Sequence, residues 1–150
     1  METEQKTLEL VIDYPLIHEY NQYYFKKYPR RKKEPIARPL HESINVWTGL
    51  TPMAKNNLKQ NWNEFIVWWV DKLGLSHKKI KEFEIEYSLF MPTRRRADPD
   101  NFSPKFILDG FVNAGMIVDD DSLHLRKLIT TIGYDKEYPR TEIKIHIIKE

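Results

Sequence analysis

Residues 94–121 read RRRADPDNFSPKFILDGFVNAGMIVDDD, a stretch that sets two carboxylates, Asp98 and Asp100, before a helix-like segment and a second acidic cluster, Asp119 to Asp121, after it. Pro99 disfavours the α region for Asp98 and fixes its own φ just before Asp100, which suits a chain turning out of a strand. Both acids can then swing toward one cation. A magnesium ion takes near-octahedral oxygen ligands, usually one or two carboxylates plus waters and substrate phosphates. Asp98, Asp100 and one aspartate of the later cluster would supply such a set. Between them, Ser103 and Pro104 signal a helix start and Gly115 a left-handed residue at its end. Ile107, Leu108, Phe111 and Val112 make the core face of that helix. Gly110 inside it costs about 1 kcal/mol relative to alanine, which points to the close approach of another backbone.

Outward from this stretch the chain alternates strands and helices. Phe83, Ile85, Tyr87 and Leu89 alternate with Glu82, Glu84, Glu86 and Ser88, predicting a strand from about Ile80 to Met91 that runs into the acidic motif. Upstream, Thr51 and Pro52 read as an N-cap and first helical residue. The helix runs to about Leu73, closed by Gly74, with Leu58, Trp62, Phe65, Ile66, Trp69 and Leu73 on one stripe. Trp68 lies off that stripe, toward a partner chain or the preceding loop. Residues 16–50 lack clear periodicity and read as a long basic and aromatic loop, and Leu8, Leu10 and Ile12 mark a first strand. Downstream, Lys127 to Tyr134 reads as a third strand, Tyr138 to Thr141 as a turn, and Ile143, Ile145 and Ile147 as a fourth strand completing a hairpin. The expectation is a single α+β domain over residues 1–150: a small mixed sheet of about four strands with two main helices packed on it.

Composition narrows the chemistry. With no cysteine there is no disulfide framework, thiolate metal site or cysteine nucleophile. The segment METEQKTLEL has no basic region followed by an apolar one, and the aliphatic and aromatic run Phe65–Val70 is far short of the roughly 20 residues that cross a bilayer. A cytoplasmic protein with no membrane partner is expected. The net charge of +2 says little, but its distribution is uneven. Lys26, Lys27, Arg30, Arg31, Lys32 and Lys33 fall within KKYPRRKK, behind Asn21, Tyr23 and Tyr24. Such a run can neutralise backbone phosphates while rings stack on bases, or it can be a solvated loop over core tyrosines. Arg94, Arg95 and Arg96 add a second cationic cluster where phosphate would have to be held.

DPDN at 98–101, Lys105, FILDG at 106–110, AG at 114–115 and VDDD at 118–121 resemble the signature of the RusA family of Holliday junction resolvases. The likeness is dense over residues 94–128, and Asn21, Tyr23, Tyr24 and PRTEIKI at 139–145 resemble the family's ends. It implies a small homodimeric, often phage or prophage encoded endodeoxyribonuclease that uses Mg²⁺, with Mn²⁺ as a substitute, to cut four-way DNA junctions in recombination and repair. It implies Asp98, Asp100 and Asp120 as metal ligands, with Asp119 or Asp121 as substitutes, and Lys105 as the essential lysine. Lys105 stands five residues after Asp100 where many family members have four, an apparent one-residue insertion before the helix. With Asn21, Tyr23 and Tyr24 from that likeness, the basic run and Arg94 to Arg96 complete the expected DNA-binding set.

Other roles compete for these residues. Asp98 or Asp100 can cap the following helix, Asp119 to Asp121 can form a solvated turn, and Asp109 can pair with Lys105 at i, i+4. Asn101 reads as a loop-orienting side chain, and His18, His41, His77, His124 and His146 show no spacing that demands zinc. Against the junction resolvase stand a catalytically silent branched-DNA-binding module and a metal nuclease for flap or fork DNA.

Overall fold

The computed structural model describes residues 6–150; Met1 to Gln5, part of the segment read for a leader, lie outside it. Four strands, β1 (Lys6–Ile12), β2 (Glu82–Met91), β3 (Leu125–Tyr134) and β4 (Arg140–Lys149), form one sheet in the order β1-β4-β2-β3. β4 pairs antiparallel with β1 and with β2, and β3 pairs parallel with β2. The fold is thus α+β with a mixed four-stranded sheet. Alternation decides which face is covered. Phe83, Ile85, Tyr87 and Leu89 of β2 and Ile143, Ile145 and Ile147 of β4 are buried, while Glu84, Glu86, Lys144 and His146 are half-buried on the other face.

The expected hairpin of the last two strands is not formed, because β2 lies between β3 and β4. The apolar run of β2 is covered along its length, and it takes hydrogen-bonding partners on both edges. Residues 135–139 step over it; two strand spacings are about 10 Å, well within the reach of five residues at roughly 3.3 Å each. β2, the following helix and β3 therefore make a parallel strand-helix-strand crossover.

Three longer helices replace the expected two. α1 (Tyr14–Lys27) occupies much of the stretch read as a loop, and a short α2 (Ile44–Thr48) follows. The Asp13 side chain accepts from the Leu16 N–H at 3.0 Å, Pro15 sits in the first turn, and Ile17, Tyr20, Asn21 and Tyr24 are buried at helical spacing. That periodicity is carried by tyrosines and an asparagine instead of aliphatics, so it does not stand out in the sequence. α3 (Pro52–Lys72) begins as expected, with Thr51 capping the Ala54 N–H at 3.2 Å, and ends before Gly74 at φ +72°. Trp62, Phe65, Ile66, Trp69 and Val70 are buried, whereas Leu73, expected on the same stripe, is exposed. Trp68 packs on α1, stacked against Tyr23 at 5.9 Å.

α4 (Lys105–Asn113) crosses from the end of β2 toward the start of β3 and packs on α3. Gly110 explains how closely. A Cβ built there would stand 2.5 Å from the Cβ and 2.7 Å from the Cγ2 of Ile66. The approach expected from the sequence is thus to a side chain of α3, at its rigid β-branched root.

On an exposed helix Gly→Ala gains up to about 1 kcal/mol. At residue 110 the sign reverses: Gly110→Ala should cost about 1–3 kcal/mol by overpacking, measured as a lower urea midpoint at unchanged m-value.

Candidate functional site

Asp98 is extended, at φ −93° and ψ 124°, and Pro99 opens a 3₁₀ turn, Pro99–Asn101, as its fixed φ requires. The Asp98 side chain caps neither this turn nor α4, whose N-cap is Pro104 without a side-chain bond. Ser103, expected to open that helix, does not cap it either. The Asp98 carboxylate instead accepts from Arg96 Nε at 3.3 Å in an exposed pair. Asp100 is exposed as well. Asn101 orients the turn, its side-chain oxygen accepting from the Asn45 N–H at 3.1 Å.

Lys105 is exposed on the first residue of α4. The ion pair expected between Lys105 and Asp109 is not formed; the nearest pairs in sequence among the described residues are Arg96–Asp98 and His124–Asp121. The charge of Asp109 reaches Asp120 instead. The Asp120 carboxyl is pushed above its ordinary range by partial burial, by a hydrogen bond with Asp119, and by the charges of Asp109 and Asp119. The three aspartates that follow the helix part ways. Asp119 accepts from the Asp120 N–H at 2.8 Å, while Asp121 accepts from the Leu123 N–H at 3.0 Å and meets His124 Nδ1 at 2.5 Å. The His124 contact holds the Asp121 carboxyl below its usual range. Asp121 thus serves the turn into β3, leaving Asp119 and Asp120 outside it.

The two acidic groups flank α4. Asp98 and Asp100 follow the C-terminal end of β2, and Asp119 and Asp120 precede the N-terminal end of its parallel neighbour β3. Nine residues of α4, roughly 13 Å of helix, lie between. Among the described residues no group of three or more His, Asp or Glu side chains is close enough to hold a metal ion. The donors suit a hard divalent cation, being carboxylate oxygens throughout, and such a cation would offset the neighbouring charges that add to the effect of burial on Asp120.

The cationic residues fall into two places. Arg94 lies over the Tyr134 ring at 4.6 Å, and with Arg95, Thr130 and Thr131 it lines an open groove of about 630 Å³ beside Pro99. In the other, Lys26 and Lys27 end α1 while Arg30 to Lys33 continue exposed. Arg31 donates to the Tyr24 hydroxyl at 2.7 Å and lies 4.1 Å from the Tyr28 ring centre. Asn21 and Tyr24, expected to contact DNA, are buried and belong to the core because α1 turns them inward; Tyr23 stays exposed.

Sequence reasoning missed Asn45, which meets the turn of the acidic motif, and the part Asp109 plays beside Asp120. It also passed over His41, buried between Trp62 and Phe106. No signal in the sequence joins residues 41 and 45 to residues 101 and 106, since the contacts are made across the fold. Among the described residues no helix is long and apolar enough to cross a membrane. The chain matches no protein-family model and no curated protein.

Asp120→Asn should raise the melting temperature at neutral pH. A carboxyl raised in the folded state contributes stability that is present below its unfolded pKa and lost as pH rises through the folded one. The gain of the variant should therefore vanish as pH falls below the ordinary carboxylate range, and melting scans from pH 3 to pH 8 would read it.

Proposed function

We propose that the chain is a Mg²⁺-dependent, structure-selective endodeoxyribonuclease that resolves four-way DNA junctions by paired symmetric nicks, acting as a homodimer. The observation that carries this reading is the placement of carboxylates at both ends of α4, Asp98 and Asp100 before it and Asp120 beyond it, with the Lys105 ammonium exposed on its first turn. A structural role accounts for Asp121 but not for Asp100 or Asp120. The RusA resemblance over the same residues supports the reading.

In this reading Asp98 and Asp100 of one chain and Asp120 of the second would hold the cation, and Asp119 backs Asp120. A cation bound there would supply Lewis-acid charge for the phosphoryl oxygens and would acidify nearby water. Lys105 holds the scissile phosphate. Arg94 and Arg95 neutralise backbone phosphates along the groove beside Pro99, and the Lys26–Lys33 run, with the exposed Tyr23 ring, extends that charge over a junction arm.

The dimer has a candidate surface in β3, which pairs on one side only and leaves Leu128 and Ile129 exposed. Because one chain's described residues gather no group of three ligands, the second chain completes the cation-binding set. A two-fold dimer also matches the two-fold character of a junction and places two sites for paired nicks. The separation of the acids equally suits a branched-DNA-binding module without turnover, and a nuclease for flaps or forks would use the same residues.

The test compares wild type and Asp100→Asn on a mobile four-way junction, a linear duplex and a flap, with Mg²⁺, Mn²⁺ or EDTA. Paired symmetric nicks of the junction are expected only from wild type with metal. The variant should lose cleavage by about a hundredfold or more, the scale of removing one preorganised electrostatic contact, while still binding the junction. Binding without cleavage under every metal condition selects the silent module, and preferential flap cutting selects the broader nuclease.

A further inference from the structure

Helix α4 opens without a side-chain cap from its own sequence, although its first N–H groups have no intrahelical acceptor. Phe106 is fully buried, so water does not supply one. The acceptor comes from 65 residues upstream: the Phe106 N–H donates to His41 Nε2 at 3.3 Å. At 2.8 Å the other ring nitrogen, Nδ1, meets the carbonyl of Glu42, which can only accept. These two partners fix the tautomer, because Nε2 must be bare and Nδ1 must carry the proton. The ring itself is gripped between Trp62 at 5.2 Å and Phe106 at 5.1 Å.

The segment around His41 is fastened at three further points. The Thr141 hydroxyl of β4 donates to the Pro39 carbonyl at 2.6 Å, Trp62 Nε1 of α3 donates to Glu42 Oε2 at 2.9 Å, and Asn45 donates its N–H to Asn101 at 3.1 Å. Residues 39–45 thus form a strap from the sheet and α3 to both the turn carrying Asp100 and the helix start carrying Lys105. His41 is its buried contact with that helix.

We propose that His41 is a positioning residue for the proposed cleavage reaction: as the neutral Nδ1–H tautomer it caps α4 through Phe106 and fixes the turn from which Lys105 reaches the phosphate. Burial holds the imidazole below its ordinary range against the opposing pull of the Glu42 carbonyl and of the Glu42 and Asp109 carboxylates, so the capping form persists at neutral pH. A charged ring would turn an N–H toward the Phe106 N–H and end the cap. The catalytic part of this inference rests on the nuclease reading, whereas the capping part does not.

Two variants separate shape from hydrogen bonding. His41→Phe keeps a ring between Trp62 and Phe106 but removes the acceptor, and His41→Gln returns an acceptor oxygen at the place of Nε2. Long-range ¹H–¹⁵N correlation of the wild type should show Nε2 unprotonated at neutral pH. In His41→Phe, amide exchange at Phe106 should quicken by about tenfold or more, the signature of an unmade buried bond. Junction kcat should fall by about tenfold with KM held within about twofold, as for a misplaced transition-state group. His41→Gln should restore both. A protonated Nε2, unchanged Phe106 exchange in His41→Phe, or faster exchange with unchanged kcat would each overturn the proposal. If the wild-type protein cleaves no junction, the nuclease reading and the catalytic part fail together, and the tautomer and exchange measurements still decide the cap.

Discussion

The space left by a missing side chain at residue 110 governs where the acidic groups and Lys105 around α4 stand. Without a Cβ there, α4 can lie against the root of Ile66 on α3, and α3 in turn is anchored in the core by Trp62, Phe65 and Trp69. α4 is short, and its two ends carry the groups of interest: Asp98, Asp100 and Lys105 at its start, Asp119 and Asp120 beyond its finish. Moving it outward by the width of a methyl group would shift both ends relative to β2 and β3. Interiors pack too densely to absorb such a shift without cost.

Position along the helix axis is held differently. Hydrophobic contacts resist separation of α4 from α3 but are non-directional, so they leave sliding and fraying of its first turn to other restraints. Hydrogen bonds from the 39–45 strap supply direction at that end, through His41 and Asn45. The strap is a loop, yet its polar atoms bond to β4, α3, α4 and the 3₁₀ turn. At the other end the Ile80 and Ile117 bridge and the Asp121 turn into β3 do comparable work. The acids near Asp120 are left with charge that is not locally neutralised.

Much of this was legible in the sequence. Alternation in LEL, FEIEYSL and IKIHI gave the strands, and Thr51-Pro52 with Gly74 bounded α3, because these signals are local. The turn at Asp98 to Asn101 carries a local signal of the same kind in Pro99, whereas Lys105 stands out only through the RusA resemblance. α1 was not, since tyrosines carry its buried face and the neighbouring cations suggested solvent. Strand order was not, because a turn between β3 and β4 looks the same whether it closes a hairpin or steps across β2. Ser103 and Pro104 mark where α4 starts, but Ser103 does not cap it: the cap is a side chain far upstream, invisible to any rule that reads neighbours. The acidic residues were found, but their separation across α4 is a matter of parallel pairing that only the fold reveals.

The account depends most on these carboxylates sharing a cation. Calorimetric titration with Mn²⁺ at neutral pH, on the wild-type chain and on Asp98→Asn, Asp100→Asn and Asp120→Asn, measures that directly. The account predicts saturable binding by the wild type that weakens by about tenfold or more in all three variants, the acids on either side of α4 acting as one set. Titrations indistinguishable from wild type in the variants, or loss confined to Asp120→Asn, would contradict it.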